Sequence, residues 1–157
     1  MVTEIKLVKY NHAVGESNLH LQFTPKYRKP IFADKDVKAE CENEFREIAE
    51  KLGVQLVGMG FGPDHAHLFV SSWKNYSIVQ LVQRFKGVSS RHIRQKYMVR
   101  LAVRGLFGDQ MWSDGEFHRT VGAVTYETMK KYVTESQQKH WKAEKPKQSQ
   151  TKLLEFN

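Results

Sequence analysis

The sequence predicts an α+β sandwich: a four-stranded antiparallel sheet with helices on one face, plus an appended C-terminal helix. Three observations carry this expectation. Apolar residues alternate with a period of two or recur near 3.6, in the order strand–helix–strand–strand–helix–strand. Only Gly62-Pro63-Asp64 separates the second strand from the third, a turn short enough to make them antiparallel neighbours. The 157 residues, 40% of them hydrophobic, suffice for one core but not for two. That element order is the one found in ferredoxin-like (RRM-like) sandwiches.

Each element has its own signal. Residues 1–18 are polar and mixed and are expected to form an arm. Leu19 to Thr24 (LHLQFT) alternates Leu19, Leu21 and Phe23 with His20, Gln22 and Thr24, the pattern of a half-buried strand. Pro25 and Pro30 bracket a basic turn, Lys26-Tyr27-Arg28-Lys29. Asp34 or Asp36 can cap a helix with Val37, Cys41, Phe45, Ile48 and Leu52 on its apolar side, and Gly53 ends it. Val54 to Phe61 forms the second strand and His65 to Ser71 the third. Ser77 and Gln80 make a capping box for a helix that buries Ile78, Leu81, Val82, Phe85 and Val88. Residues 101–115, with three glycines, are expected as a loop, Phe117 to Val121 as the fourth strand, and Thr125 to about His140 as a third helix. A single domain over 1–141 is expected, with a polar, mobile tail over 142–157.

Composition narrows the function classes. A net charge of +8 favours a polyanionic partner such as nucleic acid. The single cysteine, Cys41, excludes an internal disulfide and a cysteine-based zinc cage, and its place in an amphipathic pattern fits a small buried hydrophobe. No stretch approaches 18 uninterrupted apolar residues and the N-terminus lacks a signal-peptide core, so a cytoplasmic protein without a membrane partner is expected.

The stretch GPDHAHLFV, residues 62–70, places His65 and His67 two apart at the start of a strand. Residues i and i+2 project from one face, so both imidazoles can grip one ion from a rigid element. A lone pair of this kind is more often two half-exposed histidines. With a single cysteine a structural zinc site is disfavoured, and two imidazoles with an oxygen ligand suit Mg²⁺ or Mn²⁺ acting on a phosphate. Asp64, of odd parity, is expected on the opposite face. For a nucleophile the third helix offers Tyr126 and Tyr132, the latter beside Lys130 and Lys131. A phosphotyrosine ester would conserve the energy of the broken bond and allow reversal.

Taken together these residues resemble the HUH single-tyrosine transposases of the IS200/IS605 type. The resemblance rests on Phe23 to Phe32 (FTPKYRKPIF), on Met59 to Val70 with Pro63-Asp64-His65-Ala66-His67-Leu68, and on Phe85 to Arg91 (FKGVSSR). Met111-Trp112-Ser113, Thr120-Val121 and Lys131-Tyr132-Val133 follow in the same order and spacing, so it spans roughly residues 18 to 141. It implies a homodimeric enzyme that cleaves and rejoins single-stranded DNA bearing hairpin ends, with active sites shared between subunits. Tyr132 is then the catalytic nucleophile, forming a 5′-phosphotyrosine link. His65 and His67 are the metal ligands for Mg²⁺ or Mn²⁺. Such enzymes usually carry a glutamine four residues after the tyrosine as a third ligand. Here Ser136 holds that position and Gln137 follows, about 140° from Tyr132 around an ideal helix. Gln137 through a bulged turn is the preferred third ligand, with Ser136 and Glu135 as alternatives.

Lys26, Arg28, Lys29, Lys86 and Arg91 are the candidate phosphate contacts, and Tyr27 can stack on an unpaired base. Two other functions compete: a domesticated relative that processes repetitive hairpins, and a non-catalytic single-strand-binding module on the same sheet. The binding module would want aromatic rings on the central strand, where this sequence has His65 and His67.

Overall fold

The computed structural model describes residues 8–10, 13–15, 17–122, 124–125, 127–132 and 134–135. Strands β1 (Val8–Tyr10) and β2 (Ala13–Gly15) pair as a short antiparallel hairpin within the stretch expected to be an arm. The main sheet comprises β3 (Asn18–Phe23), β4 (Gln55–Gly62), β5 (His65–Ser71) and β6 (Phe117–Val121). It is antiparallel throughout, in the spatial order β4–β5–β3–β6. The two longest helices among the described residues are α1 (Lys35–Leu52) and α2 (Ile78–Val103). This is the strand order and connectivity of the expected ferredoxin-like sandwich.

The helix ends follow from their caps. Of the two candidate aspartates, Asp34 caps α1, accepting hydrogen bonds from the backbone N–H groups of Asp36 and Val37. Gly53 closes α1 in the left-handed conformation, at φ 67°. Ser77 and Gln80 exchange both capping-box hydrogen bonds at the start of α2. α2 continues through Val103, so residues 101–103 are helical rather than loop, and the chain departs from helical geometry at Tyr97 (φ −124°). Glycine enters only afterwards, with Gly105 at φ 84°, which is why the three-glycine signal placed the end too early.

The sheet is covered on both faces. On one, Leu19, Leu21, Phe23, Ala66, Leu68 and Val70 pack with Phe45 of α1 and Phe85 of α2 in the main core. On the other, Val57, Phe69, Val124 and Met129 form a second cluster, against which Val121 and Tyr132 pack. A register shift between Leu56 and Gly58 lets β4 contribute Val57 to this cluster. Residues 127–132 and 134–135 are helical and form α3, on this second face. Thr125 opens it, with reciprocal hydrogen bonds between the Thr125 and Thr128 backbone N–H groups and hydroxyls. Coverage from both sides explains why β3 is not half-buried: all six of its residues are buried, His20 and Gln22 included.

Candidate active site

Strand register decides which side chains share the second face. Directly opposed residues project to the same side. Gln22 lies opposite His67, His20 opposite Phe69, and Gly62 opposite His65. From the far edge, Arg119 lies opposite His20 and Phe117 opposite Gln22. His65, His67, His20, Gln22, Phe117 and Arg119 therefore occupy one face, and α3 brings Tyr132 onto it.

His65 and His67 are buried, with ring centroids 5.1 Å apart and planes nearly perpendicular, at 86°. Each is held through Nδ1. His65 Nδ1 lies 2.8 Å from Asp64 Oδ1, and His67 Nδ1 lies 2.8 Å from His20 Nε2. Asp64 therefore does not face away. It precedes the first residue of β5, so strand parity does not govern it, and its carboxylate reaches the neighbouring imidazole. The other carboxylate oxygen accepts hydrogen bonds from Arg28 Nε at 3.1 Å and Nη2 at 2.9 Å. Burial raises the Asp64 pKa, but the His65 hydrogen bond and then the Arg28 charge outweigh it and hold the carboxyl below its usual range. The Nε2 atom of His65 is buried and has no hydrogen-bond partner among the described residues.

His20 joins the histidine pair to the tyrosine. Its ring stacks on Phe69 at 4.6 Å, lies 5.1 Å from His67, and meets the Tyr132 ring at 5.2 Å. Burial, reinforced by the charge of Arg119, lowers its pKa to about 4, so this imidazole is neutral at physiological pH. The Arg119 guanidinium also lies over the Tyr132 ring, 5.8 Å from its centroid. Beside Tyr132 opens a cavity of about 460 Å³ lined by His20, Gln22, Phe117 and Arg119, with Glu116 and Glu135 at its acidic side. Glu135 also pairs with Lys131 at 3.8 Å. Gln137, Ser136 and Tyr126 lie outside the described residues. Among the described residues, no group of three or more His, Cys, Asp or Glu is arranged to hold a metal ion.

The candidate nucleic-acid contacts separate into two sets. Lys26, Tyr27 and Arg28 form a 3₁₀ turn in which Tyr27 (φ 57°) and Arg28 (φ 52°) both adopt the left-handed conformation that non-glycine residues rarely take. The turn leaves Tyr27 74% exposed, with Lys26 Nζ 5.4 Å from its ring centroid. Lys26 also donates to Gln110, Arg28 is committed to Asp64, and Lys29 lies against Gly105. On α2, Arg91 is exposed. Lys86, on the same helix, donates through its ammonium to the carbonyls of Ser113, Asp114 and Gly115 and so tethers the segment leading into β6. Burial lowers the Lys86 pKa, against the opposing charges of Glu116 and Asp114.

Sequence reasoning missed His20, Gln22, Asp64, Phe117 and Arg119. The alternation of β3 and of β6 carried the signal for all of these except Asp64, but only with the order of strands in hand.

Residues 13–136 match the family described as "Transposase IS200 like". The chain is 26% identical over 133 residues to the ISDra2 transposase TnpA of Deinococcus radiodurans, covering 85% of this chain and 93% of that protein. In fold it is similar to a crystal structure from Deinococcus radiodurans R1 described as that of a transposase, with a TM-score of 0.65 and 23% identity. That likeness covers 82% of this chain and 97% of the other. A more distant likeness, at 12% identity and a TM-score of 0.49, is to a REP-associated tyrosine transposase bound to a REP hairpin, over 85% of this chain and 74% of that one.

Proposed function

The chain belongs to the IS200-like transposase family, and on that premise we propose that this DNA transposase cleaves and rejoins single-stranded DNA through Tyr132, with a divalent ion held by His65 and His67. The observation that carries the proposal is the shared face: two buried imidazoles on β5 and a tyrosine on α3, joined through His20.

The residues fit a divalent ion. A buried ring nitrogen without a hydrogen-bond partner, on an imidazole whose other nitrogen is held by a carboxylate, is the donor chemistry such an ion requires. His65 and His67 would hold Mg²⁺ or Mn²⁺, with Gln137 as the proposed third ligand. When bound, the ion polarises the scissile phosphate and offsets charge on the departing oxygen.

The remaining chemistry belongs to the chain. The Tyr132 oxygen attacks phosphorus and the bond from phosphorus to the 3′ oxygen breaks. The phenolic proton is lost to solvent and the leaving oxygen becomes a 3′-hydroxyl. The strand stays attached as a 5′-phosphotyrosine ester until another 3′-hydroxyl attacks it and restores the phenol. Arg119, over the Tyr132 ring, places a positive charge where phosphate must approach. Phe117, 48% exposed on the cavity wall, offers a face on which an unpaired base can stack.

Tyr27, Lys26, Lys29 and Arg91 remain the proposed outer contacts to DNA. Arg28 and Lys86 act in this scheme by holding Asp64 and the 113–115 segment. A homodimer that recognises hairpin ends completes the proposal.

The test is incubation with labelled single-stranded DNA from the flanks of the protein's own gene, with Mn²⁺ or EDTA. A denaturant-resistant protein–DNA adduct is expected with Mn²⁺ and not with EDTA, and the double variant His65→Ala, His67→Ala should bind DNA yet form at least about 100-fold less adduct. Undiminished adduct in the double variant would exclude the proposed role of the pair.

A further inference from the structure

Two hydrogen bonds behind the histidine pair carry a further consequence. Asp64 meets His65 Nδ1 at 2.8 Å, and His20 Nε2 meets His67 Nδ1 at 2.8 Å. An ionised carboxylate can only accept, so His65 Nδ1 must carry the hydrogen and, in the neutral ring, the lone pair falls on Nε2. The His20–His67 contact contains one hydrogen that either ring can donate. If His67 donates it, both rings of the pair share one tautomer and present the same nitrogen as a lone-pair donor.

We infer that Asp64 and His20 are positioning residues that fix His65 and His67 in the Nδ1-protonated tautomer, making Nε2 the ion-binding nitrogen of both. The inference rests on the proposed metal-binding role of the pair.

The surroundings of both residues are built to hold them still. Asp64 is gripped through its second oxygen by two nitrogens of Arg28. Arg28 sits in the left-handed turn that also displays Tyr27, so the backbone cost of that turn is offset in part by an ion pair reaching the metal-side histidine. His20 is fixed differently, by ring contacts: Phe69 stacked at 4.6 Å, Tyr132 tilted at 5.2 Å, and Phe117 edge-on at 5.7 Å. An imidazole wedged among three rings cannot rotate away from His67 without disturbing Tyr132. The same side chain thus orients a metal-side histidine and seats the proposed nucleophile.

The test uses the full-length, ¹⁵N-labelled protein without metal. Long-range ¹H–¹⁵N correlation spectra report which nitrogen of each ring is protonated, and Mn²⁺ titration followed by electron paramagnetic resonance reports affinity without DNA. Both rings of the wild type are expected to be protonated on Nδ1. Asp64→Ala should release His65 into a mixture of tautomers and weaken Mn²⁺ binding about 10–100-fold, and His20→Phe, which keeps a ring, should do the same through His67. Asp64→Asn, which keeps an acceptor oxygen, should recover most of the loss. Protonation of either wild-type ring on Nε2, or full Mn²⁺ affinity in both Asp64→Ala and His20→Phe, would overturn the inference. The wild-type spectra decide the tautomers even if a variant does not fold. Nδ1 protonation in both rings together with no Mn²⁺ binding would remove the metal-binding proposal and leave the tautomer assignment standing.

Discussion

Gly62 shows how much of the site depends on what a residue lacks. It lies opposite His65 across β4 and β5, and a Cβ built on it would overlap the His65 ring at Cε1. Its φ is not positive, so the requirement is for close approach and not for backbone freedom. Gly62→Ala is expected to push the imidazole off its place beside Asp64, at a cost of about 1–3 kcal/mol in urea denaturation. Mn²⁺ affinity should fall with it, because the ring that moves is one of the pair. Unchanged stability and affinity would mean that the ring has room to spare. In the sequence Gly62 looks like a turn residue of GPD, since nothing local to it reveals the imidazole that lies across the ladder. His65 and His67 were legible by contrast, because a strand's period of two puts them on one face without knowledge of the fold. Asp64 was misjudged for a related reason: the period holds only inside the strand, and the strand begins one residue later.

At the scale of elements, α1 illustrates how a cap couples to distant structure. Asp34 accepts from two backbone N–H groups at the start of α1, and its other oxygen accepts from Arg100 Nε of α2 at 2.7 Å. Burial works to raise its pKa, but the Arg100 hydrogen bond and then the Val37 and Asp36 backbone hydrogen bonds prevail, and the folded value lies below the ordinary one. A carboxyl depressed in the folded state binds its proton more readily when unfolded. Its contribution is therefore complete above the unfolded value near pH 4 and fades as pH falls through the folded value. Asp34→Ala should cost about 1–2 kcal/mol at pH 7, and the gap from wild type should narrow as pH drops below about 4. A gap that stays constant down to pH 2 would show that the carboxylate's charge contributes nothing. The caps at Asp34, Gly53 and Ser77 were readable because each acts within one helical turn of itself. The length of α2 was not, because the helix runs past its kink at Tyr97 to Val103 before the first glycine.

For the whole molecule, the sheet divides the labour between its faces. One face, closed by α1 and α2, makes the main core, and the other gathers His20, His65, His67, Arg119 and Tyr132 from three strands and α3. The fold class was legible from the order of periodicities, and the histidines and Tyr132 from their motifs. Arg119 and Phe117 were not, because their membership depends on β6 lying beside β3, a pairing across about 100 residues of chain that no local pattern encodes. His20 was hidden for a subtler reason. Alternation assigned it to the polar side of a half-buried strand, whereas α3 covers that side and turns it into a buried polar layer. The protein's net charge of +8 suits the polyanion this face would engage, but a charge balance cannot name a nucleophile. The most direct measurement compares wild type with Tyr132→Phe on labelled single-stranded DNA with Mn²⁺, followed by peptide mapping of any covalent product. A 5′-phosphotyrosine adduct at Tyr132 is expected in the wild type and none in the variant, with DNA binding retained by both. An adduct that persists in Tyr132→Phe, or maps to another residue, would contradict it.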